Sequence, residues 1–116
     1  MGVILVADDN RSFAELLRAT LEEAGYEVIT ASTGLAAISS VEQQDVDVAI
    51  LDVLMPGISG DAVAERLRQL EPGLPLILMT AADIDFTVAS GLPTLKKPFP
   101  HEELLDAVRA LASPAI

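Results

Sequence analysis

Asp45–Gly57, DVDVAILDVLMPG, is the stretch from which the fold is read. Val46, Val48, Ala49, Ile50 and Leu51 form an apolar run broken only by Asp47. A short run of this kind, bounded by turn signals, reads as a strand covered on both faces. It stops at Asp52, and Val53-Leu54-Met55 then leads into Pro56-Gly57, a loop signal. A carboxylate at the end of a buried strand is costly unless something pairs with it. The rest of the chain must supply that partner.

The pattern of an apolar run ending in polar residues recurs on both sides. Val3-Ile4-Leu5-Val6-Ala7 ends in Asp8 and Asp9. Asn10 or Ser12 can cap the helix that follows, in which Phe13, Leu16, Leu17, Thr20 and Leu21 recur at helical spacing before Gly25 stops it. Glu27 to Ala31 reads as a strand, and Ser32 or Thr33 opens a helix carrying Leu35, Ala36, Ile38 and Val41. Downstream of Gly57, Ser59-Gly60-Asp61 opens a helix with Ala62, Val63, Leu67 and Leu70, which Glu71-Pro72-Gly73 ends. Pro75 to Met79 is a fourth strand, ending in Thr80. Residues 81–93 leave room for at most one or two helical turns. Thr94-Leu95-Lys96 is a short fifth strand before Lys97-Pro98-Phe99. Pro100 suits the first position of a last helix, with Glu102 and Glu103 in its first turn and Leu104, Leu105, Val108 and Leu111 as its buried stripe.

Strands and helices that alternate in this way imply a parallel sheet with helices on both faces. The expected fold is a flavodoxin-like (βα)5 three-layer α/β sandwich with strand order 2-1-3-4-5, its helix before the fifth strand short or irregular. A chain of 116 residues without linkers or repeats is expected to form one domain, residues 1–116. The formal net charge of −11 argues against direct nucleic-acid binding and against anionic membrane surfaces. Cysteine is absent, and no apolar run approaches the roughly 20 residues of a membrane span. A cytoplasmic protein without membrane contact is therefore expected.

In an open parallel sheet, ligands bind beyond the carboxyl ends of the strands, where the strand order reverses. Strands one and three flank that point, and they end in Asp8, Asp9 and Asp52. The fourth strand ends in Thr80, and Lys97 follows the fifth. Three converging carboxylates repel one another unless one takes a proton or a cation joins them. A hard divalent ion such as Mg²⁺ (or Mn²⁺) suits oxygen ligands, and the lack of histidine or cysteine at these positions argues against zinc. A carboxylate beside Mg²⁺ can attack a phosphoryl group and form an acyl phosphate. The developing charge then needs a lysine and a hydroxyl donor, for which Lys97 and Thr80 are candidates. Lys97 is preferred over Lys96 because side chains alternate along a strand.

Asp8-Asp9, Asp52 within LDVLMPGISG, Thr80-Ala81 and Lys97-Pro98-Phe99, in that order at strand ends, resemble a receiver domain of bacterial two-component response regulators. The resemblance covers roughly Val3 to Ala112 and implies a module in a phosphorelay rather than an enzyme acting on other substrates. It implies that Asp52 is the phosphoacceptor. Asp9, Asp52 and the backbone carbonyl of Leu54 would ligate Mg²⁺, and Asp8 would act through a bound water. Lys97 would contact the phosphoryl group, Thr80 would turn to it, and the Lys97-Pro98 bond would be cis. The implied partners are a histidine kinase or phosphotransfer protein and a downstream effector protein or output domain.

Two departures from the family pattern stand out. Thr94 occupies the position, three before the lysine, where receivers usually carry a Tyr or Phe that switches rotamer. The segment between Thr80 and Lys97 is also about a helical turn short. Output through a different surface, or through ordering of residues 81–93, is expected instead. Apolar Leu54 and Ala82 beside the acceptor lead to the expectation of a long-lived acyl phosphate. The alternative activity is a Mg²⁺-dependent aspartyl-phosphate phosphohydrolase. Such enzymes carry a second Asp two positions after the nucleophile, where this chain has Leu54. A flavodoxin is disfavoured because Asp8-Asp9-Asn10 would repel a flavin phosphate. Met55 and Met79 read as packing residues, His101 as exposed helix, and Phe86 and Phe99 as core or loop anchors.

Overall fold

Five strands form one parallel sheet in the order β2-β1-β3-β4-β5. This computed structural model describes residues 2–81 and 92–112. The strands are β1 (Val3–Ala7), β2 (Glu27–Ala31), β3 (Val48–Asp52), β4 (Leu76–Thr80) and β5 (Thr94–Lys96). The helices are α1 (Arg11–Glu23), α2 (Gly34–Gln43), α3 (Gly60–Leu70) and α4 (His101–Ala112). The expectation of a short or irregular helix before β5 falls on residues 82–91 and lies outside the described residues, as do Ala82 and Phe86.

Each helix starts where a side chain or carbonyl takes up backbone N–H groups. The Asn10 side chain accepts from Phe13 N–H at 3.1 Å, Thr33 from Ala36 N–H at 3.0 Å, and Ser59 from Ala62 N–H at 3.3 Å. Pro100 stands just ahead of α4 rather than inside it. Its carbonyl accepts the Glu103 and Leu104 N–H groups, which is the work of a cap.

Every residue of β3 and β4 is buried. Alternation along the strands divides the core into two halves. Ile4, Val6, Ile50, Ile77 and Met79 face α1 and α4, where Leu17, Leu21, Leu104 and Val108 meet them. Leu5, Ala7, Ala49, Leu51 and Leu78 face α2 and α3, where Ile38, Val41, Val63 and Leu67 meet them.

Several apolar residues assigned to helix stripes point outward instead. Leu16 is 49% exposed and Leu35 is 71% exposed, and Ala36 and Ala62 are exposed too. Their places against the sheet and the neighbouring helix are taken by small residues, Ala14, Gly34, Ala37 and Ala64. Close helix packing selects small side chains there. A Cβ on Gly34 would run into the Ile58 side chain and come within 2.6 Å of Val63 Cγ2. Among the described residues, no helix is long and apolar enough to cross a membrane.

Candidate functional site

The strand register delivers the acidic groups to one rim. β1 pairs with β3 so that Ala7 stands beside Leu51, which brings Asp8 level with Asp52 one residue further on. Asp8 N–H donates to Ala31 O at 3.0 Å, and Val53 N–H donates to Met79 O at 2.8 Å, so both strands stay hydrogen-bonded to their neighbours at the rim. β4 pairs Thr80 with Lys96, and Lys97 N–H donates to Thr80 O at 2.8 Å. The next residue of the fifth strand's path is thereby set at the same edge.

The loop after Asp52 is held from behind by α3. Gly60 N–H donates to Val53 O at 2.8 Å. A Cβ on Gly60 would strike the Asp52 carbonyl oxygen and lie 2.6 Å from Val53 Cα, both of them backbone. Glycine is required at this close approach, and it seats the start of α3 directly on the Asp52–Val53 peptide. Gly57, with φ +84°, turns the chain on the way there.

At the rim, Lys97 Nζ donates to Asp8 Oδ2 at 2.7 Å and to Asp52 Oδ2 at 3.2 Å. Asp8 Oδ1 accepts Asn10 N–H at 2.9 Å, and Asp52 Oδ1 accepts Leu54 N–H at 3.2 Å. The partner that Asp52 needs is thus an ammonium from 45 residues away plus a local N–H. Asp8 and Asp52 are buried while Asp9 is exposed, and the three offer carboxylate oxygens that all lie within 4.8 Å of one another. Burial pushes the Asp52 carboxyl up from its ordinary value of 3.8; the nearby Lys97 charge and the Leu54 N–H oppose this, and the Asp8 charge adds to it. The net rise says that the ammonium and the Leu54 N–H together do not offset what burial costs the Asp52 charge.

Four of the residues singled out by sequence, Asp8, Asp9, Asp52 and Lys97, therefore converge. Lys96 is exposed and Lys97 half-buried, as alternation requires. The Lys97-Pro98 bond is cis. Thr80 is fully buried on the adjoining strand. By alternation its side chain belongs to the sheet face shared with Leu78, opposite that of Met79. Thr94 lies at the other end of β5, half-buried, with its hydroxyl donating to Leu92 O at 3.1 Å. Leu54 is 61% exposed at the lip of the site. Met55 and Met79 are buried, and His101 is exposed.

Sequence reasoning gave Phe13 only to the helix stripe. Its ring lies under the Lys97 ammonium, with the nitrogen 4.6 Å from the ring centroid. Phe99 meets it edge-to-face, with centroids 5.8 Å apart and planes at 82°. The available signal was an aromatic residue one helical turn after the acidic pair.

The oxygen donor set fits a hard cation. With carboxylate oxygens of Asp8, Asp9 and Asp52 within 4.8 Å of one another, such a cation could be held among them.

The chain matches the family model of the response regulator receiver domain over residues 4–109. It belongs to that family. It is 38% identical to the alkaline phosphatase synthesis transcriptional regulatory protein PhoP of Bacillus subtilis, over 93% of this chain and 47% of that protein. It is 39% identical to the probable transcriptional regulatory protein TcrX of Mycobacterium tuberculosis, over 93% of this chain and 48% of that one. The chain thus spans about half the length of the curated relatives it matches. Among solved structures, the response regulator TrrA of Thermotoga maritima, in complex with Mg²⁺-BeF, superposes with a TM-score of 0.88 at 37% identity, covering 96% of this chain and 99% of that one. The chemotaxis protein CheY4 of Vibrio cholerae gives 0.90 at 30% identity, covering 96% and 98%. The five-stranded receiver fold expected from the sequence is the fold observed.

Proposed function

We propose that this receiver domain, read as a single unit over residues 1–116, accepts a phosphoryl group on Asp52 from a histidine kinase or phosphotransfer protein. The observation that carries the reading is a buried Asp52 carboxylate flanked by Asp8 and Asp9 and reached by Lys97. Asp52 is the nucleophile: an oxygen of its carboxylate bonds to phosphorus as the bond from phosphorus to the donor nitrogen or oxygen breaks. The donor leaves with the bonding pair, and an imidazole leaving group takes up a proton.

Asp9, Asp52 and the Leu54 carbonyl would hold Mg²⁺ (or Mn²⁺), with Asp8 acting through a water. The bound ion would screen the carboxylates from one another and from the incoming phosphoryl oxygens. Lys97 moves from carboxylate to phosphoryl oxygen, a shift its flexible stem allows. The Leu54 N–H holds Asp52 in place throughout. That the Mg²⁺-BeF complex of TrrA shares this fold at 37% identity supports the assignment.

Thr80 would turn its hydroxyl toward the phosphoryl group. With Thr94 where an aromatic usually stands, Thr94 and its partner Leu92 would carry the change toward the adjoining segment and a downstream effector protein or output domain. The reading is that of a cytoplasmic module that catalyses only its own phosphorylation and dephosphorylation. The apolar Leu54 side chain at the lip supports a long-lived acyl phosphate.

Incubation with Mg²⁺ and acetyl phosphate, followed by mass spectrometry, tests the reading. A gain of about 80 Da on Asp52, one phosphoryl group, is expected. Turnover of the donor without an adduct would point to a phosphohydrolase.

A further inference from the structure

Among the described residues the Lys97 ammonium has three contacts, and two of them, to Asp8 and Asp52, are to groups that the proposed chemistry reassigns. The third is the Phe13 ring, 4.6 Å from centroid to nitrogen. Phe13 is not free to drift. Its backbone N–H donates to the Asn10 side chain at 3.1 Å, and Asn10 N–H donates to Asp8 Oδ1 at 2.9 Å. Asp8 in turn accepts Lys97 at 2.7 Å, which closes a ring of contacts from Asp8 through Asn10, Phe13 and Lys97 back to Asp8. Phe99, two residues beyond Lys97, braces the Phe13 ring from the side at 82°. The first turn of α1 and the β5–α4 connection therefore grip the lysine together.

We propose that Phe13 is a positioning residue for Lys97, a cation–π seat that keeps the ammonium over the rim when Asp8 and Asp52 turn to metal and phosphoryl group. The proposal deepens the phosphoacceptor reading and rests on it for its kinetic consequence. A half-buried lysine that lost its carboxylate partners would otherwise swing out to water, since its stem has four rotatable carbons and strong hydration at its tip. The ring face offers an attraction that does not depend on which ligand fills the site. Unlike a carboxylate, it does not neutralise the charge that Lys97 must bring to the phosphoryl oxygens.

The test compares Phe13→Leu and Phe13→Met, which keep apolar bulk without a ring, with Phe13→Tyr, which keeps the ring. The first readout is the NMR shift of the Lys97 methylene protons next to Nζ in metal-free protein. Ring-current shielding is expected in the parent protein and in Phe13→Tyr and is expected to vanish in the other two. The second is the rate of phosphoryl uptake from acetyl phosphate with Mg²⁺, expected to fall roughly two- to thirtyfold in Phe13→Leu and Phe13→Met, the range such a contact spans, and to be kept in Phe13→Tyr. A Lys97 shift unchanged in Phe13→Leu, or Phe13→Tyr losing as much rate as Phe13→Leu, overturns the proposal. Failure of the phosphoacceptor reading shows separately, as no adduct on Asp52 in the parent protein.

Discussion

Lys97 puts one positive charge against two buried carboxylates, and the balance of that pairing against burial governs what single substitutions do. The native carboxyl of Asp52 is raised above 3.8, chiefly by burial. Its contribution to stability is therefore fully present below the ordinary carboxylate range and is lost as the pH rises through the higher native value. In metal-free protein near neutral pH, Asp52 subtracts stability. Asp52→Asn is expected to take up no phosphoryl group and to unfold at a higher urea midpoint than the parent, with the gap closing as the pH falls into the acid range. A midpoint below the parent near neutral pH would mean that pairing with Lys97 outweighs burial. Lys97→Ala has the opposite sign. Asp8 has no exposed side-chain surface, so removing its cation is expected to cost about 3 kcal/mol with metal chelated. Mg²⁺ is expected to bind the variant more tightly than the parent, because a competing cation has left the site, while phosphoryl uptake slows. Chelated and Mg²⁺-loaded urea titrations of both proteins read these effects directly. Asp8 and Asp52 were legible because each ends a buried run, where an unpartnered carboxylate is too costly to be accidental, and Asp9 because it adjoins Asp8. The Phe13 contact was not, because a phenylalanine in a helix stripe looks the same whether it covers a leucine or a lysine.

At the scale of elements, α3 determines how precisely Asp52 is presented. Its first residue, Gly60, presses on the Asp52–Val53 backbone, which cannot yield as a flexible side chain would. Gly60→Ala is expected to destabilise the fold by about 3 kcal/mol, the upper end for overpacking, and to slow phosphoryl uptake by displacing the acceptor. Gly73→Ala, where an added Cβ meets nothing within 4 Å, is the control and is expected to leave both within error. Equal effects from the two would show that the loss of glycine's backbone freedom, not contact with the Asp52–Val53 backbone, is at stake. The described elements themselves were readable from the alternation of runs and caps. Which way each helix faced was less so. Leu35 and Leu16 were assigned inward because they are large and apolar, yet the inward places go to Gly34, Ala37 and Ala14. Where layers approach closely, volume decides before hydrophobicity does.

At the scale of the whole molecule, a net charge of −11 raises the question of whether Mg²⁺ acts at one place or everywhere. General screening would shrink repulsion among all 18 acidic residues and stabilise the fold smoothly with ionic strength. Occupation of the Asp8–Asp9–Asp52 rim behaves differently. A ligand that binds only the folded state adds RT ln(1 + [L]/Kd), about 2.7 kcal/mol at a hundredfold excess over Kd and about 1.4 kcal/mol for each further decade. Asp9 separates the two mechanisms because it is the exposed member of the set, so its loss should leave the metal-free fold within about 0.5 kcal/mol of the parent. In a Mg²⁺ titration at constant ionic strength, the parent unfolding midpoint is expected to climb with the logarithm of Mg²⁺ once binding begins. Asp9→Asn is expected to start from the same midpoint and stay nearly flat. If both proteins climbed together, the ion would be relieving the charge of the entire surface, and the rim would lose its claim to be a metal site.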